Sequence, residues 1–193
     1  MPSDDPIGRV RELLERAQSI EGKDARSVAL ATADASGRPS LRMVVLSGLE
    51  EEGLVFFTSY RSRKARELEA NPWAALCFHW PALAVQVRVE GTVAPLEAEA
   101  SDSYFAGRPR GHRVTAWASP QSELLESRQD LLARVRDVEA RFEGRDVPRP
   151  EHWGGYRLRP ERIEFWHGFE NRLHERLLHL REGAGWTVQR LGP

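Results

Sequence analysis

The chain has 193 residues, 40% hydrophobic and 30% charged, which allows one domain with a sizeable core and leaves too little for two full-sized ones. Its 28 Lys and Arg against 29 Asp and Glu give a net charge of −1, so nothing in the balance calls for a nucleic-acid partner. Cys77 is the only cysteine, MPSDDPIGRV lacks the basic start and apolar run of a secretory signal, and no apolar stretch approaches the roughly 18 residues that span a bilayer; a cytoplasmic protein with no disulfide and no membrane segment is expected.

In chain order, Ile7, Val10, Leu13, Leu14, Ala17 and Ile20 recur at helical spacing between the start signals Asp5 and Pro6 and the stop at Gly22, predicting a helix over 5–21. SVALATAD, SLRMVVLS and LVFFTS, separated by ASGRP and GLEEEG, read as three strands of an antiparallel meander. SRKARELEANP opens on a capping Ser62 and ends before Pro72, a short helix whose first residues are Arg63 and Lys64. WAALCFHW and AVQVRVEGTV are further strands, the barrel strands together covering about 27–95. In the second of them Val85, Val87 and Val89 alternate with Gln86, Arg88 and Glu90, so Gln86 lies opposite the valine face.

From about 97 to 143 the pattern is helical, with Leu124, Leu125, Leu131, Leu132, Val135, Val138 and Phe142 as a stripe ending at Gly144. RDVPRPEHWGG reads as an irregular connection. YRLRPERIEFW, RLHERLLHLR and WTVQRL are three final strands over about 156–191, the last two joined at EGAG. Strands with helices grouped at the start and in one insertion indicate an α+β class on an antiparallel sheet or barrel, a single domain over 1–193. No strand leads into a Gly-rich helix start, which argues against a Rossmann or P-loop site.

Two groups of side chains stand out. Arg42 lies inside an apolar strand and Arg61, Arg63 and Lys64 follow the strand that ends Phe57, Thr58, Ser59. A buried arginine needs an anion, and a phosphate at a helix start would serve; a half-exposed strand with a solvated basic turn is the plainer alternative. Near the C-terminus Arg172, His174 and Arg176 share one face if RLHER is a strand, either awaiting acceptors opposite or forming the charged outside of an edge strand. The six histidines lack paired metal-ligand spacing and no G-x-S-x-G elbow occurs, so neither a metal site nor acyl transfer is expected.

The stretches RMVVLS, FFTSYRSRKARELEANP, YFAGRPR, ASPQS and WGGYRLRPERIEFWHGFENRLHER, in this order and spacing, resemble the pyridoxamine 5′-phosphate oxidase family over nearly the whole chain. The resemblance implies an antiparallel split β-barrel with flanking helices, a homodimer with FMN between the subunits, and oxidation of pyridoxamine or pyridoxine 5′-phosphate to pyridoxal 5′-phosphate with O2 reduced to H2O2. It carries FMN contacts onto Arg42, Met43, Val44, Val45, Leu46 and Ser47, onto Phe57, Thr58, Arg63 and Lys64, and onto Gln86, Gln121, Ser122, Trp166 and Arg176. Arg42, Arg63 and Lys64 would neutralise the flavin phosphate. Tyr104 and Arg108 would hold the substrate phosphate, and Arg172 and His174 are the catalytic-side pair that orients the substrate.

Three positions depart from the family pattern. Ser47 stands where the pyridoxine enzymes carry a lysine toward the substrate phosphate, His112 where they have a serine, and Asn171 where a histidine precedes RLH. Exchanging a charged donor for a hydroxyl costs about 1.5 to 3 kcal/mol unless His112 or Arg110 compensates. Serine at this position is also a feature of the flavin oxidases of phenazine biosynthesis, so a dihydrophenazine carboxylate is the alternative substrate. A non-catalytic flavin-binding module is the third possibility, opposed by Arg172 and His174.

Overall fold

The structure is a computed structural model that describes residues 5–193; Met1–Asp4, the first part of the segment inspected for a targeting signal, lie outside the described residues. The first helix, α1 (Pro6–Glu21), starts where Asp5 accepts the Gly8 N–H at 2.9 Å, and it buries Ile7, Val10, Leu13, Leu14 and Ala17. Ile20 falls off that face and is 58% exposed.

The strands are β1 (Ser27–Ala33), β2 (Pro39–Val45), β3 (Gly48–Glu50), β4 (Gly53–Ser59), β5 (Trp73–Trp80), β6 (Val85–Pro95), β7 (Trp153–His167), β8 (Glu175–Glu182) and β9 (Gly185–Leu191). Helix α2 (Arg63–Ala70) follows β4, and α3 (Ala98–Ala106), α4 (Arg110–Ala118) and α5 (Arg128–Arg141) lie between β6 and β7. All pairings are antiparallel, in the order β2-β1-β5-β6-β7-β4-β3, with β8 between β7 and β9.

Strand β7 explains the curl of this sheet. Its first half pairs with β4 from Trp153 to Leu158 and its second half with β8 from Arg162 to His167, while β6 runs along its other edge. The β6 register shifts at Glu90/Gly91, where a Cβ on Gly91 would sit 1.9 Å from the Arg159 carbonyl oxygen, so only glycine admits this bulge. The concave side is filled by Leu30, Phe56, Leu76, Phe78, Trp80, Val87, Leu158, Ile163 and Phe165 together with the apolar face of α1.

Four expectations need correction. The early strands are not a meander: β1 pairs β2 on one side and β5 on the other, while β4 crosses to pair with β7. The extra strand β3 hides in the turn GLEEEG, because three residues paired to β4 carry too short a pattern to read. The helical stripe is interrupted: residues 119–127 are not helical, Leu124 is fully exposed, and α5 buries no residue completely, resting through Val135 and Val138 on a small cluster of Val114, Phe142 and Val147. RLHER is not one strand, since β8 begins only at Glu175 and Arg172 sits in a single 3-10 turn. Arg172, His174 and Arg176 therefore do not share a strand face.

Candidate functional site

A cleft of ≈ 920 Å³ opens between β2, β4, the start of α2, and the α3–α4 pair. From the sequence-assigned set it is lined by Met43, Val44, Val45, Ser47, Phe57, Thr58, Lys64 and Gln121, and by Tyr104, Arg108 and His112. Its wall is aromatic. Phe57 and Tyr104 stack at 3.8 Å with an interplanar angle of 4°, and Trp153 stacks on Phe57 at 5.3 Å. A Cβ on Gly155 would come within 2.8 Å of Phe57 Cε1, so the close approach of β7 to this ring requires glycine.

The cations of the cleft are open to a ligand. Arg108 stacks its guanidinium 4.5 Å over the Trp153 ring, and its Nη1 is buried with no hydrogen-bond partner among the described residues. Burial lowers its pKa, against the nearby Tyr104. Lys64 Nζ donates to Thr58 Oγ1 at 2.9 Å and to Gln121 Oε1 at 3.4 Å. Burial and then the charge of Arg42 push its pKa down to about 8, against an upward pull from Glu67. Gln121 Oε1 also accepts from Thr58 Oγ1 at 2.8 Å and from the Ser59 N–H at 3.2 Å, so its amide nitrogen is the end left for a ligand.

Arg42 meets its anion inside the protein. Its guanidinium pairs with Glu67 Oε2 at 3.1 Å and also donates to Ser40 Oγ, to Thr32 Oγ1 at 2.5 Å and to the Leu30 carbonyl at 3.2 Å. Of the five N–H groups of a guanidinium, only Nε–H is left. Arg63 uses Nε alone, toward Glu67 Oε1 at 2.8 Å, and its Nη pair is free. Thr32 and Ser40 complete Glu67 at 2.5 and 2.6 Å. Burial by itself would raise this carboxyl, but hydrogen bonds from Ser40, Thr32, Arg63 and Arg42 hold it at about 2.

The departures from the family pattern also have places. Ser47 Oγ and the Tyr104 hydroxyl lie 3.1 Å apart. His112 lines the cleft, whereas Arg110 is spent on the carbonyls of Arg145 at 2.8 Å and Phe142 at 2.7 Å, so the expectation that Arg110 compensates for a missing lysine fails. Asn171 takes φ 54° and Arg172 φ 60°, two successive left-handed residues at the turn before β8.

The remaining assigned residues gather elsewhere. Gln86, Trp166 and Arg176 form one row across β6, β7 and β8, by direct register. His174 packs on Trp166 at 4.6 Å between ring centres, and its Nδ1 accepts the Phe169 N–H at 3.2 Å. Arg176 is gripped by Glu164 through Nε at 2.8 Å and Nη2 at 3.2 Å, and Arg88 shares the same carboxylate. None of Gln86, Trp166, Arg172, His174 and Arg176 lines the cleft of its own chain, nor do Arg42, Arg63 and Ser122. Leu46 is fully buried in the core. Sequence reasoning missed Glu67, Glu164 and Trp153; the i,i+4 spacing of Arg63 and Glu67 was the one available signal for the first, and Trp153 stood unassigned in the quoted WGG.

No group of His, Cys, Asp and Glu among the described residues could hold a metal ion. No helix among them is long and apolar enough to cross a membrane. The family pattern described as "Pyridoxamine 5′-phosphate oxidase" matches residues 11–142, and "Pyridoxine 5′-phosphate oxidase C-terminal dimerisation region" matches 153–193. The chain is 56% identical over 189 residues to the pyridoxine/pyridoxamine 5′-phosphate oxidase of Anaeromyxobacter dehalogenans, covering 98% of this chain and 96% of that protein. It is also 56% identical to the protein of the same name from Rubrobacter xylanophilus, covering 98% and 87%. Among solved structures, PhzG from Burkholderia lata in complex with tetrahydrophenazine-1-carboxylic acid superposes with a TM-score of 0.93 at 34% identity, covering 100% of this chain and 94% of that one. An FMN-binding protein from Nostoc punctiforme, at 22% identity and TM-score 0.76 over 96% of each chain, shares the fold.

Proposed function

This chain belongs to the pyridoxamine 5′-phosphate oxidase family, and from that premise we propose that it is a cytoplasmic, homodimeric, FMN-dependent oxidase that converts pyridoxamine or pyridoxine 5′-phosphate to pyridoxal 5′-phosphate, with O2 reduced to H2O2. The observation that carries this reading is the cleft, a flat aromatic slot edged by two cations, Lys64 and Arg108, that make no ion pair among the described residues. A planar ring bearing a phosphate matches both features.

The donor set fits FMN. The free Nη pair of Arg63, Lys64 and the last N–H of Arg42 would take the flavin phosphate, and the capped N-terminus of α2 adds a favourable dipole. The Gln121 amide and the backbone of 43–47 suit ring and ribityl polar atoms. When bound, FMN supplies two-electron acceptance from the substrate and delivery to O2. The chain's own side chains bind and orient. Arg108 and Tyr104 would take the substrate phosphate. His174, whose Nδ1 is an acceptor for Phe169, is thereby the Nε2–H tautomer, a neutral donor toward the substrate. Arg172, with no side-chain partner among the described residues, would set the substrate's charge and angle.

Arg172 and His174 lie in the turn before β8, outside the cleft of their own chain, so the reading requires a second copy. It is supported by the dimerisation-region match over 153–193 and by the outward side of β2, where Leu41, Met43 and Val45 are 70%, 62% and 60% exposed in the isolated chain. The test is an aerobic peroxide assay of the flavin-loaded protein with pyridoxine phosphate, pyridoxamine phosphate and a dihydrophenazine carboxylate. Turnover of the two phosphates with release of pyridoxal phosphate is expected.

A second reading, oxidation of a reduced phenazine carboxylate, is favoured by Ser47, whose hydroxyl is engaged with Tyr104 where the family's lysine would reach a phosphate. Peroxide from that substrate alone would replace the first reading by the second. Under the first reading Ser47→Lys lowers the KM for pyridoxine phosphate about tenfold, the worth of one charged hydrogen bond. An unchanged KM would show that the phosphate does not lie beside this residue.

A further inference from the structure

Glu67 lies outside the cleft and contacts no proposed ligand, yet it is the point at which three elements meet. It is 5% exposed, sits on α2, and takes Thr32 from β1, Ser40 and Arg42 from β2, and Arg63 from its own helix. A buried carboxylate with three donors on Oε2 and Arg63 on Oε1, between two arginines of which one keeps its Nη fork free, has the geometry of a clamp. The local charges are Arg42, Arg63 and Lys64 against Glu67, a surplus of two positive charges that matches a phosphate dianion.

We propose that Glu67 is the positioning residue of the flavin-phosphate site: it fixes the Arg63 and Arg42 guanidiniums before the cofactor arrives and keeps the neighbouring Lys64 charged. This rests on the proposed FMN reading, and it assigns Glu67 a part in binding that the bare electrostatics oppose. A carboxylate near a phosphate repels it, so by charge alone Glu67→Gln should tighten FMN. The clamp predicts the reverse. In either amide orientation a glutamine turns its NH2 toward hydrogen-bond donors, toward Arg63 Nε on one side or toward Thr32, Ser40 and Arg42 on the other. With the NH2 toward Arg63, that side chain, 61% exposed, has no acceptor to hold it and must be ordered anew by each flavin; with the NH2 toward the other three, Arg42 loses its carboxylate instead.

A second consequence concerns pH. Lys64 faces Arg42 from β2 and Glu67 from its own helix, the neutral Thr58, Ser62 and Gln121, and across the cleft Tyr104, Arg108 and His112. Glu67 is the acid that supports its charge, and desolvation and Arg42 work against it. FMN affinity in the parent protein is therefore level between about pH 7, where the phosphate is a dianion, and about pH 8, and falls above that as Lys64 loses its proton in the free protein. Without the Glu67 charge that fall begins at lower pH.

The experiment is fluorescence titration of the flavin-stripped, full-length protein with FMN and with riboflavin, from pH 6.5 to 9. The parent should prefer FMN strongly; no preference would overturn the phosphate-cradle reading itself. With that preference in hand, Glu67→Gln should weaken FMN about two- to tenfold, leave riboflavin unchanged, and shift the alkaline fall downward. FMN binding that is equal or tighter overturns the clamp and leaves the cradle standing. An equal loss for both flavins marks a general structural role and likewise overturns it. If Glu67→Gln does not fold, Ser40→Ala decides, because Ser40 touches only the clamp: a smaller loss confined to FMN supports the proposal and unchanged FMN binding rejects it.

Discussion

Glu67 and Glu164 are both buried glutamates that each hold two arginines, and the difference between their surroundings separates the two halves of the site. At Glu67 the arginines arrive from β2 and from the first turn of α2, at the rim of a cleft, and Arg63 keeps four N–H groups free. At Glu164 the arginines come from the neighbouring strands β6 and β8, and Arg176 is closed by a two-point grip and by the Gly192 carbonyl at 2.9 Å. The first arrangement leaves the Nη fork of Arg63 free, one residue from Lys64 in the cleft of the same chain. The second ties Arg88 and Arg176 to one carboxylate across three neighbouring strands, outside that cleft.

The largest expected effect tests whether the Glu67 side is the more tightly coupled. Arg42→Ala leaves a buried carboxylate short of its main-strand partner and should cost about 3 kcal/mol in urea unfolding, as for a broken buried pair, with loss of bound FMN. Arg88→Leu, which leaves Arg176 on Glu164, should cost only about 1 kcal/mol. If the order were reversed, or if Arg42→Ala kept stoichiometric FMN at unchanged affinity, the contrast between the halves would fail.

Next in size, Arg172→Ala should lower turnover about a hundredfold through lost substrate alignment while FMN affinity stays within experimental error. Parallel loss of flavin and activity would put Arg172 on the cofactor and erase the division of labour. Glu67, held at about 2 against an ordinary 4.5, contributes stability that is complete above pH 4.5 and disappears as pH falls toward 2.

The smallest effect belongs to the β8 side. His179 is fully buried and neither ring nitrogen has a hydrogen-bond partner; the Ile163 backbone opposite favours its proton weakly without reaching bonding geometry. Burial first, and then Arg9, lower its pKa below 6.5. The unfolded chain thus binds this proton more readily, and stability present above pH 6.5 is lost as pH falls below it. His179→Leu should flatten the difference in urea midpoint between pH 8 and pH 5.5; an undiminished difference would move the acid sensitivity to another group.

Much of the cleft's chemistry was legible before any geometry. Lys64 and Phe57 stood out from a capped helix and the strand before it, whereas Tyr104, Arg108 and Gln121 were named only through the family resemblance, since no period or cap marks them. The two glutamates were not named, because Glu67 reads as one more charge on an amphipathic helix and Glu164 as an alternating strand residue. Their meaning lies in Thr32, Ser40, Arg88 and Arg176, which pairing brings from 12 to 76 positions away. The strand reading of RLHER failed for a related reason, since a turn with two left-handed residues carries no glycine to announce it.

By itself the amino-acid sequence determined the α+β class and the extents of α1, α2, β5 and β6. Those follow from short-range physics: side-chain period, caps, and the turn residues between them. Tertiary structure alone decided that β4 pairs with β7 rather than with β2, that Arg42 spends its charge on Glu67, and that the assigned residues do not all gather in the cleft of one chain. Each of these depends on strand pairing and burial between distant positions, where the free energy of a contact is set by what surrounds it and not by its neighbours in the chain.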